Sequence, residues 1–275
     1  WLYANHHGES GWPFFDWMAV HVYNDYRNAW DGTQPYDQEL LGKIKHLRTN
    51  QMLHVGQYDL RSKPLAVTEA DLISMPTDSW TTRSEDYQAH YASQLLIRSM
   101  VAGLRTVTWY SVEDHHTGAC TDIYAWIGAG LLRSMDVYEA AQACGSQNPI
   151  PDYVVTEDHE PKPGHTSYGV GVRQLAGATY QAQLTSGQTG SAQIEAYRFT
   201  RPDSVSVVAA FTDNGERIGR IGYPPVQRTM TFDSSILPGW TGDIVVVDHM
   251  GDETHLSGSS IAVTLTQAPV FVRPE

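Results

Sequence analysis

The run Lys63-Pro64-Leu65-Ala66-Val67-Thr68-Glu69-Ala70 constrains this chain more than any other stretch, because it sets one carboxylate at the end of a short apolar strand. Pro64 suits a strand start, where no ladder donor is needed. Leu65, Ala66 and Val67 have no polar face, the pattern of a strand covered on both sides. Upstream, Phe14 to Tyr23 reads as a second strand rich in aromatic and apolar residues, and strand alternation puts His21 and Tyr23 near its end on one face. Downstream, Gly103 closes a helix, and Leu104-Arg105-Thr106-Val107-Thr108-Trp109-Tyr110 forms a third strand, followed by the polar loop Ser111 to His116. Helices separate these strands. Leu40, Leu41, Ile44 and Leu47 at helical spacing predict one from Asp37 to Leu47, while Ser84, followed by Glu85 and Asp86, predicts the N-cap of the next.

The order His-x-Tyr, then Glu, then Trp, each at a strand end, resembles the last three βα units of retaining glycoside hydrolases built on (β/α)8 barrels. That clan includes the cellulase-like and xylosidase-like families. The resemblance implies that Glu69 is the catalytic nucleophile of the seventh strand. It implies also that His21 and Tyr23 are the sixth-strand pair beside it, with the Tyr hydroxyl bonding the nucleophile, and that Trp109 is the aromatic floor beneath the sugar. Asn-Glu, the clan's signature for the acid/base, occurs nowhere in the chain. Glu113 and Asp114, in the loop after the third strand, are the rim carboxylates expected to meet substrate, and Trp80, in the loop after Glu69, is a candidate second sugar platform.

A complete barrel of this kind takes about 250 residues, and the β-rich tail leaves space for three βα units in front of it. The expected fold class is therefore α/β: the C-terminal three βα units of a barrel over residues 1–177, then a small all-β sandwich over residues 178–275. Three parallel strands alone would leave two open edges, so the chain is expected to be the C-terminal part of a longer enzyme or to be completed by a complementary chain. The excursion from Val112 to Lys162 is long for a βα connection. Within it, Gly130-Leu131-Leu132 resembles the segment after the eighth strand, and Pro161-Lys162-Pro163 leads into the closing helix around Tyr168 to Leu175. From Ala178 the pattern changes to period-two alternation, in Ile194 to Phe199, Ser204 to Phe211, Asp243 to Asp248 and Ile261 to Val272, with the turn signal Asp213-Asn214-Gly215 between.

Charge and motifs exclude other chemistries. A net charge of −13 with 18 Lys and Arg, and no basic cluster, speaks against nucleic acid as a partner. No stretch approaches the roughly 20 apolar residues of a membrane span. His6, His7, Glu9, His115 and His116 form no His-x-His or His-Glu-x-x-His pattern, and no Gly-x-Ser-x-Gly elbow or phosphate loop is present, so cofactor-free and metal-free chemistry is expected. Cys120 and Cys144 are either two free thiols or a disulfide across the long excursion. The latter suits an extracellular enzyme, and secretion is the expectation. The function implied by the resemblance is double-displacement hydrolysis of an oligo- or polysaccharide, with the acid/base outside this chain. A non-catalytic carbohydrate-binding remnant and a purely structural remnant are the competing readings.

Overall fold

The computed structural model describes residues 16–23, 39–52, 61–72, 74–75, 83–115, 128–145, 154–212 and 226–275. The first described strand is β1 (Met18–Tyr23), and helix α1 (Glu39–His46) continues through one π-helical turn to Gln51. Strand β2 (Leu65–Asp71) leads to two short strands, β3 (Ser74–Met75) and β4 (Arg83–Ser84), which pair with each other in parallel. Helix α2 (Glu85–Val101) follows, and then β5 (Thr106–Trp109). The strands β1, β2 and β5 form one parallel sheet with β2 in the middle.

Local sequence explains the helix ends. The Ser84 hydroxyl accepts the Tyr87 N–H at 3.3 Å, as its N-cap position predicts, and Glu85 and Asp86 complement the positive helix end. At the other end Gly103, with φ of 63°, supplies the left-handed residue of a Schellman motif. Its N–H reaches Met100 O at 3.1 Å while the Leu104 N–H reaches Ser99 O at 3.0 Å. That tight reversal feeds the chain straight into β5. One face of the sheet packs on α1 and α2 through Val22, Leu65, Val67, Ala70, Tyr91, Leu95 and Trp109.

The excursion after β5 carries helix α3 (Met135–Ala143), and helix α4 (Pro163–Leu175) starts with Pro163 in its first turn, a position where the missing N–H costs nothing. The two ends of the excursion meet at a buried polar knot. Lys162 Nζ donates to Asp114 Oδ1 at 2.6 Å, both side chains being 1% exposed or less. Asp114 Oδ1 also accepts the Gly130 N–H at 2.9 Å, and the Gln88 amide of α2 donates to the Leu72, Gly128 and Gly130 carbonyls. Only glycine fits at two of these positions. A Cβ on Gly128 would lie 1.7 Å from Ser74 O, and one on Gly130 would lie 2.1 Å from Asp114 N.

The tail is β6 (Thr179–Gln183), a short helix α5 (Ser186–Thr189), then β7 (Ile194–Thr200), β8 (Ser206–Thr212), β9 (Arg228–Phe232), β10 (Asp243–Asp248), β11 (Glu253–Ser257), β12 (Ile261–Leu265) and β13 (Val270–Pro274). Six of these strands make a sheet of order β11-β10-β13-β8-β7-β6, with every described pairing antiparallel. The pair β9 and β12 packs on one face of it, against Ile194, Ala196, Val208, Ala210, Ile244 and Val272. The alternate residues Tyr197, Phe199, Val207, Ala209, Phe211, Val245, Val247 and Phe271 turn the other way, onto Ile97 of α2 and Val170 and Leu175 of α4. Both faces are covered, which is why β8 reads Ser-Val-Val-Ala-Ala-Phe-Thr without a polar stripe.

A buried ion pair joins the helical and β-rich halves. Arg98 of α2 grips Glu195 of β7 with two bonds, Nε to Oε2 at 3.1 Å and Nη2 to Oε1 at 2.5 Å. The Tyr197 hydroxyl adds a third donor at 2.8 Å, and the guanidinium lies 4.9 Å from the centre of the Phe211 ring. All three donors satisfy the carboxylate, as a charge this deep requires.

Several element bounds differ from expectation. The first linking helix gives way to a π-turn after His46, and β8 begins at Ser206 because Ser204 is held at φ of 68° in the preceding turn. The Asp213-Asn214-Gly215 turn lies outside the described residues.

Candidate active site

Glu69 is placed by a bulge. Along β1 and β2 the register runs Val20 with Val67, then His21 with Glu69, so Thr68 is an extra residue on β2. The same extra residue appears against β5, where Val67 pairs Val107 and Ala70 pairs Trp109. Without it Glu69 would stand level with Val22, which is 2% exposed in the core. With it Glu69 shares the face of His21 and Tyr23, and Ala70 takes the core position instead. Bulges re-aim side chains in this way beside functional sites.

The result is a three-residue cluster at the C-terminal end of the sheet. The Tyr23 hydroxyl donates to Glu69 Oε2, and His21 Nδ1 stands 3.2 Å from the same oxygen. The His21 and Tyr23 rings meet edge to face with centroids 6.2 Å apart. Burial pushes the Tyr23 hydroxyl well above the ordinary tyrosine pKa. The Glu69 hydrogen bond and charge add to this, followed by the charge of Asp71 and then Tyr110, so Tyr23 stays a proton donor across the physiological range. Lys43 of α1 fixes the backbone there, its Nζ donating to Tyr23 O at 3.0 Å. The Glu69 side chain is 32% exposed, open to a ligand from the sheet end.

The other expected site residues are distributed differently. Trp109 is turned into the core: it is 7% exposed, its Nε1–H donates to Ala129 O at 2.8 Å, and its ring lies against Tyr91 and Tyr168. Because Trp109 is level with Ala70 on the helix-facing side, the expected aromatic floor is corrected to a core residue, and the next residue, Tyr110, falls on the Glu69 side. Tyr110 is half-buried and lies within electrostatic reach of the Tyr23 hydroxyl, with His115 packed edge-on to its ring at 5.7 Å. Sequence reasoning passed over Tyr110. The adjacent aromatic pair was visible, but the bulge that decides which ring faces Glu69 was not.

Asp114 is likewise corrected from a substrate-facing group to a fully buried partner of Lys162. Glu113 is at the rim, one-third exposed, with His159 Nδ1 at 3.2 Å. Trp80, His6, His7, Glu9, His116 and Cys120 lie outside the described residues. Cys144 is disulfide-bonded. Among the described residues Glu113, Asp158 and His159 bring ligand-type atoms within 4.8 Å of one another. The two His159 nitrogens face different carboxylates, Glu113 and Asp158, at 3.2 and 3.5 Å, so the group forms a chain of polar contacts at the surface. No described helix is long and apolar enough to cross a membrane.

No protein-family model matches the chain, and neither does any curated protein. Among solved structures it is similar to a family 39 glycoside hydrolase from the gut symbiont Bacteroides cellulosilyticus WH2, with a TM-score of 0.62 and 16% identity over 96% of this chain and 45% of that one. It is similar also to a GH51 arabinofuranosidase from Xanthomonas axonopodis pv. citri, with a TM-score of 0.54 and 12% identity over 97% of this chain and 54% of that one. The fold is glycosidase-like. At these identities the likeness concerns the fold alone, and the chain spans about half the length of these glycosidase structures. Within this glycosidase-like fold, the Glu69 cluster sits at the C-terminal end of the parallel strands β1 and β2.

Proposed function

We propose that the chain is the nucleophile-bearing part of a retaining glycoside hydrolase acting on an oligo- or polysaccharide. The observation that carries this reading is the convergence of Tyr23 and His21 on a single oxygen, Oε2, of a carboxylate aimed by a bulge out of the strand end. A nucleophilic carboxylate must be held at one angle to the anomeric carbon. The Tyr23 hydroxyl donor and the His21 ring beside it, both on one neighbouring strand, hold it so.

In the proposed reaction, the Glu69 carboxylate attacks the anomeric carbon as the glycosidic bond breaks, and the departing oxygen takes a proton from a second carboxyl about 5 to 5.5 Å away. A water activated by that second group then breaks the glycosyl-ester bond and frees Glu69. Tyr23 keeps its proton throughout. It steadies the carboxylate before attack and releases it as charge leaves Oε2. Tyr110 supplies the aromatic surface on the sugar side. Asp114 is unsuited to be the second carboxyl, being paired and enclosed, and Glu113 is engaged with His159. With neither of these two described carboxylates suited to the role, the acid/base is proposed to lie on further parallel strands completing the barrel, either in the same polypeptide or in a complementary chain. The β-rich half is read as a sandwich that braces the barrel, and the disulfide at Cys144 favours an oxidising, extracellular setting.

The test is substitution of Glu69 by Gln in the catalytically complete protein. Loss of turnover to below a few per cent with retained fold and retained sugar binding supports the assignment. Near-normal turnover, or a trapped glycosyl adduct on another residue, overturns it.

A further inference from the structure

Beside Ile97, the face of α2 that docks on the β-rich half carries a polar row: Tyr87, His90, Gln94 and Arg98 follow one another at helical spacing. Tyr87 and Gln94 bond to Gln267, and Arg98 bonds to Glu195. His90 meets His249, in the turn between β10 and β11, with ring centroids 4.9 Å apart and planes at 71°. The Nδ1 atoms of both rings are buried and have no hydrogen-bond partner among the described residues. Two imidazoles thus face each other with both Nδ1 atoms buried and unserved.

The turn that carries His249 is wedged between two helices. Asp248 Oδ1 accepts the N–H groups of Met250, Gly251 and Asp252, which fixes the turn's shape. Gly251, at φ of 99°, lies against Val170 and Arg173 of α4, while His249 lies against α2. The charged and titratable groups around the pair are Asp86 and Tyr87 on α2, Asp248 on the turn, and Arg173 on α4. The two aspartates reach the His249 side, and none of these groups contributes to the burial-dominated state of His90.

We infer that the His90–His249 contact is an acid-sensitive latch, in which protonation of the pair undocks the Asp248–Asp252 turn from α2 and α4 and loosens the hold of the β-rich half on the helix that follows the Glu69 strand. Burial holds His90 down at about 4, with the His249 charge opposing protonation as well. His249 is also lowered by burial, against the pull of Asp248 and Asp86. An opened imidazole returns to about 6.5. The docked state therefore binds protons less readily than the open one. Docking is at full strength above about pH 6.5 and weakens as pH falls toward 4. For His90 alone these two values lower the docked-to-open ratio about 30-fold between pH 8 and pH 5.

Hydrogen exchange of the full chain at pH 8 and pH 5, corrected for intrinsic exchange, tests the latch. Protection of the Asp248 and Gly251 amides, which bond within the turn, is expected to fall about 30-fold or more at pH 5, while that of the Lys162 amide in the excursion holds. The fall should largely vanish in H90Q and shrink in H249Q. An equal fall in H90Q, or no fall in the parent, overturns the latch. If neither variant folds, imidazole C–H shifts of the parent followed by NMR decide the matter: His90 must titrate well below 6.5, and a value at or above 6.5 refutes the proposal. No step depends on glycoside hydrolysis, so the outcome stands apart from the assignment of Glu69.

Discussion

Tyr23 makes the clearest single-residue test of the site. Y23F keeps the ring packed against His21 and deletes one donor to a charged acceptor, a bond of about 1.5 to 3 kcal/mol. The expected result in the catalytically complete protein is a roughly 10- to 100-fold loss in kcat/KM, with the melting temperature nearly unchanged. Equal activity in the variant would make the Tyr23–Glu69 bond incidental. The meeting of His21, Tyr23 and Glu69 was legible in the sequence because its signals are local: strand alternation puts His21 and Tyr23 on one side, and the apolar run fixes where β2 ends. Trp109 was misread for the converse reason. Which of two adjacent aromatics faces Glu69 depends on one extra residue, Thr68, in a neighbouring strand, and nothing local marks Thr68 as bulged. Y110A should therefore weaken sugar binding with little loss of stability, while W109A should unfold the core by several kcal/mol, in the range of large-to-small aromatic changes. Isothermal titration with thermal melting separates the two, and the reverse pattern would restore Trp109 as the platform.

At the scale of elements, the excursion between β5 and α4 is held by its polar knot. K162M would leave the Asp114 carboxylate buried without its cation, at a cost of about 3 to 5 kcal/mol. The paired change D114N with K162M should recover a good part of that, since the enclosed charge disappears with its partner. Denaturant melts of the three proteins check this, and a double variant no better than K162M would place the cost in lost packing. Helices α1, α2 and α4 and the strands β7, β8 and β10 were readable from spacing and from Ser84, Gly103 and Pro163, whereas α3, α5, β6, β9 and β11 were not. The knot was not, because Asp114 and Lys162 are 48 residues apart in sequence and look like ordinary rim and linker residues. Gly128 and Gly130 were the only local sign, two glycines whose Cβ positions are occupied by the backbone of other segments.

On the scale of the whole molecule, one core cluster is shared by the helical and β-rich halves. Tyr197, Phe199, Phe211 and Phe271 of the sheet pack on Ile97, Val170 and Leu175 of the helices, around the enclosed Arg98–Glu195 pair. Such an arrangement predicts one calorimetric unfolding transition with equal calorimetric and van't Hoff enthalpies, rather than two separate domain melts. The sequence showed the change of texture near Ala178 but gave no hint that α2 would be buried between the halves. The same whole-molecule view bears on the proposed chemistry, because a nucleophile at Glu69 with no acid/base in reach would complete only half of a reaction. General acid catalysis contributes typically 10²- to 10⁴-fold, and a dinitrophenyl leaving group does not need it. The most direct measurement is therefore incubation of this folded chain with a panel of dinitrophenyl 2-deoxy-2-fluoro glycosides, followed by peptide mass mapping. A slow, stoichiometric adduct on Glu69, absent from E69Q, is the predicted result. A panel that leaves Glu69 unlabelled while labelling another carboxylate would contradict the account.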